Sequence, residues 1–507
     1  MSAKYGKLCC LLLLEHFGEI VEKVACDLMK WGTKPLRLIV ATTRLPPPKV
    51  KQALRILIQY GFVTFSSSQV ASVAEYTVKP EKIILLLRYP RYLLLIKTRF
   101  GDEAEMIVEE TLRVGQDTAS SIIIKAATRL KETLKAGDGN LNLVTLRDKF
   151  FLLISKQFLM RCPSVSEEAD IPALKVKERE LYLPPELNMK ALSNMEKQIQ
   201  DKPGDDGIYW RVNYDRFHQE FRDQVMVAAI GRRLDENAAE LMKHLLNQMY
   251  LRTEPWAATS NPIPYTELKE AIRKSTTHPQ LQQYLDQYLK MLEEDSSQFV
   301  GKDGDSGGGQ YVLNIKEAFT QLTWTTIENT VLERFGSKAA RIFRLVRAKE
   351  FVEQEQIQQL VMIPAKEAKL YTYRLLQENF IQMQELRKTM STNQPNKTFF
   401  LFHIDLNQVA RMMLEVCYHA TYNAMIRREH EKNENRRLIE KQQRIASITQ
   451  NLREQGATPE QLAEIEEMLT PPERSLVEKV RMMLNKLSMA ELQLDETIFI
   501  LQIFLNY

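Results

Sequence analysis

Acidic residues vanish from one stretch of this chain: none lies between Asp27 and Glu75. Elsewhere they are plentiful, 65 Asp and Glu against 69 Lys and Arg. The net charge of +4 therefore excludes a polycation, and the acid-free stretch is a local segregation of charge. Cysteine is scarce as well. The five, at 9, 10, 26, 162 and 417, form no C-x-x-C pair and their number is odd. That spacing suggests neither a zinc module nor a disulfide framework, and it fits a reducing compartment. Long apolar runs are also missing. Leu8 to Leu14 follows Lys4 and Lys7 in the manner of a weak signal peptide, but Glu15-His16 interrupts it and no small-residue cleavage site follows. The expectation is a buried first helix. Ile83 to Ile96 is broken by Arg88, Pro90 and Arg91 and is too short to span a bilayer, so no membrane segment is expected.

Catalytic motifs are equally thin. The seven histidines make no H-E-x-x-H and no cysteine–histidine cluster, so no metal site is expected. Gly304-Asp305-Ser306-Gly307-Gly308 matches the surroundings of a serine-protease nucleophile. That chemistry needs a histidine base, an orienting aspartate and oxyanion donors on a rigid β-barrel. Here the motif lies between two short β-prone runs of a helical chain. A phosphate loop would end in Gly-Lys-Ser/Thr at a helix start, whereas this one ends in Gln310-Tyr311-Val312. Lys302, Gly307, Gly308 and Gly309 instead suit the tip of a β-hairpin, where glycine supplies positive φ. No catalytic residue, cofactor or small-molecule substrate is expected.

What is present is a repeat of pattern rather than of identity. Four times a helix with apolar residues at i, i+3, i+4 and i+7 runs into a polar residue or glycine, then an aromatic and an aliphatic that begin a strand. The junctions are Gly61-Phe62-Val63, Gln157-Phe158-Leu159, Gln298-Phe299-Val300 and Asn379-Phe380-Ile381. Two further amphipathic helices lie upstream of each. A second β-prone run follows the first, third and fourth: Glu75–Val78, Tyr311–Leu313 and Phe399–Ile404. Three helices and a small β-hairpin make a winged helix. The expected fold is mainly α with small antiparallel β-hairpins, built as four tandem winged helices at 1–80, 81–163, 208–316 and 317–404. The composition of Pro163–Gly207, with Pro184-Pro185 and Lys202-Pro203-Gly204, predicts an exposed linker over 164–207. The tail 405–507 predicts a helical hairpin or coiled coil. One long helix spans Asp405 to Gln455, with Leu438, Ile445 and Leu452 seven apart. Thr458-Pro459 and Thr470-Pro471 are N-cap signals for return helices Pro459–Leu469 and Pro471–Lys486.

The acid-free stretch holds Lys30, Lys34, Arg37, Arg44, Lys49, Lys51 and Arg55, the last three in the third helix of the first module. That element is the one able to enter a major groove. Arg88, Arg91, Lys97 and Arg99 follow, interleaved with Tyr89 and Tyr92. A one-signed surface with aromatics suits phosphate tracking or docking on an acidic protein; an ordinary solvated surface is the plainer alternative.

Several stretches resemble a known family: LLLLEHFGEIVEKV (Leu11–Val24), LRYPRYLLLI (Leu87–Ile96), DGIYWRVNYDRFHQEFRD (Asp206–Asp223) and FVGKDGDSGGGQYVLNI (Phe299–Ile315). MIPAKEAK (Met362–Lys369), IEEML (Ile465–Leu469) and DETIFIL (Asp495–Leu501) complete the set, which covers the chain end to end. The chain is similar to the eukaryotic RNA polymerase III subunit with four winged helices and a C-terminal coiled coil, a distant relative of the alpha subunit of general transcription factor IIE. The resemblance implies a nuclear, non-catalytic subunit in a peripheral heterotrimer with two smaller subunits, seated on the clamp of the largest subunit. It implies action in promoter opening and initiation on transfer RNA and 5S RNA genes, with non-specific DNA contact. Through the whole polymerase it also implies a part in sensing cytosolic DNA in innate immunity. Vertebrate members carry a longer, very basic linker; here 164–207 is short and mixed in sign, so DNA binding is not assigned to it. A free-standing winged-helix DNA-binding regulator is the alternative. It would need base-reading side chains where this chain has Pro46-Pro47-Pro48-Lys49.

Overall fold

The computed structural model describes residues 2–67, 73–133, 143–166, 171–196, 204–275, 279–388, 397–454 and 468–507. It divides into two units, Met1–Arg222 and Asp223–Tyr507. In the first, helix Ala3–Phe17 turns through Gly18 into helix Glu19–Trp31, strand Lys34–Pro35, helices Leu36–Thr43 and Pro47–Gln59, and strands Val63–Ser67 and Ala74–Val78. The last strand lies between the other two, antiparallel to both. Leu8, Cys9, Leu12 and Leu13 are buried, so the apolar opening run is a core helix. Among the described residues no helix is long and apolar enough to cross a membrane.

This arrangement recurs in all four three-stranded sheets: a two-residue strand ahead of each module's final helices pairs with the last strand of the hairpin. What carries the recurrence is the corner after the third helix of each winged helix, which in the first module is Pro47–Gln59, helix Ala3–Phe17 preceding the three. Gly61, Gln157, Gln298 and Asn379 all have positive φ, at 71°, 65°, 51° and 60°. At Gly61 the left-handed turn lets the Phe62 N–H donate to the Leu57 carbonyl at 2.8 Å and the Gly61 N–H to the Ile58 carbonyl at 2.9 Å. This pair of bonds closes the orphan carbonyls of a helix end and sets an apolar residue just past the turn against the last helical turn. Phe158 and Phe380 repeat it on Leu153 and Leu375, each at 2.9 Å. In the third module helix Leu285–Glu294 ends earlier, and the Gln298 N–H keeps only the bond three residues back, to the Asp295 carbonyl at 3.1 Å. All four phenylalanines are buried, and the carbonyls of Phe62, Phe158 and Phe299 accept from Lys79, Asn213 and Asn314 at the far end of the hairpin. In the first two modules one phenylalanine thus joins helix end, core and sheet.

The sequence pattern offers the second module no hairpin partner and reads 164–207 as a linker. The partner exists beyond that excursion: Tyr209–Val212 pairs with both Leu159–Arg161 and Asp117–Thr118. The strand placed at the head of the third module therefore closes the second sheet. Trp210 is fully buried, edge-on to Phe150 at 5.6 Å, and Asp205 accepts from the Ser120 N–H at 2.7 Å at the start of helix Ala119–Thr133. Ala191 and Leu192 are buried too. The polar composition of the excursion hid these few anchors. Helix Tyr214–Arg233 follows directly.

In the second unit, helices Leu406–Glu434 and Arg436–Glu454 meet at Asn435, a break within the stretch expected as one helix. Thr470 forms the anticipated capping box with Glu473, but the helix it starts runs on to Asn506, because no glycine or proline interrupts the apolar pattern after Lys486. Leu438 and Ile445 pack with Leu469 and Val477; the cap at Thr458 lies outside the described residues. Arg428 pairs with Glu491 at 3.1 Å and Lys441 with Glu473 at 2.8 Å. Both partners of this hairpin also pack on helix Ile315–Phe335, which leads the fourth module.

The cysteine spacing suggests no pairing, yet Cys10 and Cys26 are joined as a disulfide, with Cα atoms 6.0 Å apart. The antiparallel return of the second helix brings them together, a proximity that motif spacing does not encode.

Phe380→Ala is expected to cost its module about 3–5 kcal/mol, read by calorimetry, while Asn379→Gly, which suits the positive φ, is expected to raise stability by up to about 1 kcal/mol. An unaltered melt for Phe380→Ala would refute the corner's role. Removal of 405–507 should strip packing from Ile315–Phe335 and lower the melting of the third and fourth modules; a truncated chain with the full-length thermogram would count against this.

Candidate nucleic-acid interface

Three prolines start the third helix of the first module, with Pro46 at its cap and Pro47 at its first position, where a missing N–H costs nothing. Val50, Ala53, Leu54 and Leu57 face the core. The 3.6-residue period then turns Lys51 and Arg55 outward, one turn apart on the same face. Arg37 sits on helix Leu36–Thr43, and Arg44 ends that helix in the left-handed conformation. Arg37, Arg44, Lys49, Lys51 and Arg55 are exposed and make no ion pair among the described residues. No carboxylate sits in the first turn of Pro47–Gln59, so the positive end of the helix dipole adds to the same field.

The other expected cations have partners within the molecule. Lys34 is buried, its Nζ 3.0 Å from Asp27 and 3.4 Å from the Thr42 hydroxyl. Arg88 is buried with its guanidinium 3.5 Å from His218 Nε2, and Arg91 lies over the Phe221 ring at 4.6 Å. Lys97 pairs with Asp102 and Glu105, at 3.0 and 2.8 Å, and Arg99 with Glu220. Arg88 is buried, whereas Lys97 and Arg99 stay exposed beside their carboxylate partners, a distinction that a run of like charges in sequence does not reveal.

Lys51 and Arg55 border an open groove of about 790 Å³ between the first and second modules. Tyr76, Tyr209 and Lys125 complete its wall, and Lys125 pairs with Asp117 at 2.6 Å. Next to the lining residues Val114 and Gln116, a Cβ at Gly115 would stand 3.1 Å from the Gln59 carbonyl and the Tyr60 ring. Gln59 donates to the Val114 carbonyl at 2.9 Å, and the Tyr60 hydroxyl donates to that of Arg113. Lys125 and Tyr209 escape sequence reasoning because they are isolated in the chain, one on a helix of mixed charge and the other beyond the excursion.

The glycine motif of the third module is a wing tip. Lys302 pairs with Asp305, Ser306–Gly308 forms a short turn, and Gly308 lies against the Tyr265 ring. The Ser306 hydroxyl accepts from Gln310 Nε2 at 2.9 Å.

Behind the basic segment, the Tyr92 hydroxyl meets His218 Nε2 at 2.8 Å and Tyr89 meets Tyr214 at 2.9 Å. Burial, reinforced by Arg88 and Arg91, pushes the His218 pKa down to about 3 and keeps the imidazole neutral.

Four family models match in chain order. They are "RNA polymerase III subunit RPC82 helix-turn-helix domain" over 7–68, "RNA polymerase III subunit RPC82" over 148–322, "POLR3C, C-terminal winged-helix domain" over 327–404, and "DNA-directed RNA polymerase III subunit RPC3, helical hairpin domain" over 437–500. The chain is 40% identical to DNA-directed RNA polymerase III subunit RPC3 of Bos taurus and to that of Homo sapiens, each covering 99% of this chain and 98% of the relative. With the Danio rerio protein of the same name it shares 37% identity, over 100% of this chain and 99% of the relative.

The neutral His218 gives a pH expectation. A histidine whose folded pKa is depressed stabilises the fold fully above its unfolded value of 6.5, and loses that contribution as pH falls toward 3. The melting temperature of the wild type should therefore drop between pH 7 and pH 5 more than that of His218→Gln. Equal drops would show that His218 does not titrate on unfolding.

Proposed function

The chain belongs to the RNA polymerase III subunit RPC3 family, and we propose that it is a non-catalytic peripheral subunit acting in promoter opening and initiation. The match over the whole chain carries this reading. It supports a nuclear protein whose partners are other polymerase III subunits, two smaller ones and the clamp of the largest, on the genes of small non-coding RNAs. Sensing of cytosolic DNA would belong to the assembled polymerase, with this chain as one contributor.

Within that assembly the first module supplies non-specific DNA contact. Arg37, Arg44, Lys49, Lys51 and Arg55 support this: exposed, unpaired among the described residues and on the two helices that approach DNA in a winged helix. Pro46, Pro47, Pro48 and Lys49 at the helix start offer little for base edges, while lysine and arginine suit phosphates. The C-terminal hairpin does not share this role. From Arg427 to Lys441 its charges alternate in sign, and Arg427–Glu431 and Arg436–Glu440 pair along the helix. Such a surface is self-neutralised and serves docking and stability.

The test is DNA binding by the full chain across a salt series. Each phosphate that is no longer neutralised should lower the slope of log affinity against log salt by roughly 0.7–0.9. Lys49→Ala, Lys51→Ala and Arg55→Ala combined should flatten the slope and weaken binding for all sequences alike. If affinity and slope stay unchanged but the variant no longer joins the polymerase, the face docks an acidic protein surface instead. If neither changes, the face is an ordinary solvated one.

A further inference from the structure

Glu22 and Cys26 lie four residues apart on helix Glu19–Trp31 and so project from one face. Cys10 faces them from the antiparallel helix Ala3–Phe17. The two sulfurs and a Glu22 carboxylate oxygen all lie within 4.8 Å of one another, each residue half-buried. The Cys26 sulfur is 3.2 Å from Glu22 Oε1. We propose that Cys10, Glu22 and Cys26 of the reduced protein form a binding site for a thiophilic divalent cation, with zinc as the physiological ion.

The chemistry of the donors supports this choice. Thiolates select soft or borderline cations over calcium and magnesium, and a carboxylate completes a set zinc accepts. Three protein donors leave one position of a tetrahedral ion to solvent. Two donors come from one helix and the third from its neighbour, so the ion would clamp the leading helix to the core of the first module. The sulfurs are joined in the structure, and a joined pair cannot bind metal. A thiol reductant such as glutathione converts the bond to two thiols and is itself oxidised to its disulfide. The nuclear placement proposed above makes the reduced state the resident one. The inference rests on that placement only for its physiological setting, since reduction can be imposed in solution.

Cobalt(II) serves as the probe, because thiolate coordination gives sulfur-to-metal charge-transfer bands. Titrated into the full chain under a non-chelating phosphine reductant, it should give such bands at one equivalent and be displaced by zinc. Cys10→Ser and Cys26→Ser should each abolish the bands, and Glu22→Gln should weaken affinity on the order of 10-fold or more, as loss of a metal-supporting group does. Cys9→Ser and Cys417→Ser should leave the bands intact. Circular dichroism checks that each variant is folded. Absence of the bands in the reduced wild type, or bands that survive Cys10→Ser, overturns the proposal whether or not the chain assembles into the polymerase.

Discussion

The left-handed corner after each third helix is the constraint on which the rest of this molecule depends. A helix end leaves carbonyls without donors, and a strand start must place its first side chain inward. At Gly61, Gln157 and Asn379 one residue with positive φ solves both, because the next N–H folds back five residues and the next side chain, a phenylalanine, drops into the core. The same phenylalanine carbonyl then holds the end of the hairpin in the first three modules. Once the corner is set, strand register follows, and the short strand ahead of each module's final helices has an edge on which to pair.

A fixed scaffold leaves the outer face of each third helix to vary. In the first module that face carries Lys51 and Arg55, and in the fourth it carries Leu370 and Tyr373, with Met362 in the preceding turn 89% exposed. The second surface is the more apolar of the two, although Lys366 and Lys369 are exposed on the same helix. The difference lies entirely in residues that do not touch the core, so charge can be concentrated on one module without disturbing the fold. The buried basic residues obey another logic. Arg88 and Lys34 are spent on internal partners, and His218 is kept neutral by its surroundings.

Much of this was legible in the chain itself. The polar-or-glycine, aromatic, aliphatic signature marked all four corners, because the αL position is held by a glycine or a polar residue, two of the four being glutamine, and the following site demands a large apolar side chain. The glycine-rich wing at 304–309 and the capping box at Thr470 were legible for similar local reasons. Long-range closure was not. Trp210 completes a sheet begun at Leu159, and no local pattern announces a strand whose partner lies beyond so long a polar excursion. The approach of Cys10 to Cys26 and the ion pairing of Lys97 and Arg99 were hidden likewise, since spacing reports periodicity and not which helix faces which.

That the first module presents its third helix to DNA within the polymerase is the central claim, and site-specific photocrosslinking tests it most directly. A photoreactive amino acid would replace Lys51 in one preparation and Leu370 in another, each chain assembled into RNA polymerase III and bound to promoter DNA. Adducts to DNA from position 51 and none from position 370 are the predicted result. Adducts from position 370 with none from position 51 would contradict the account.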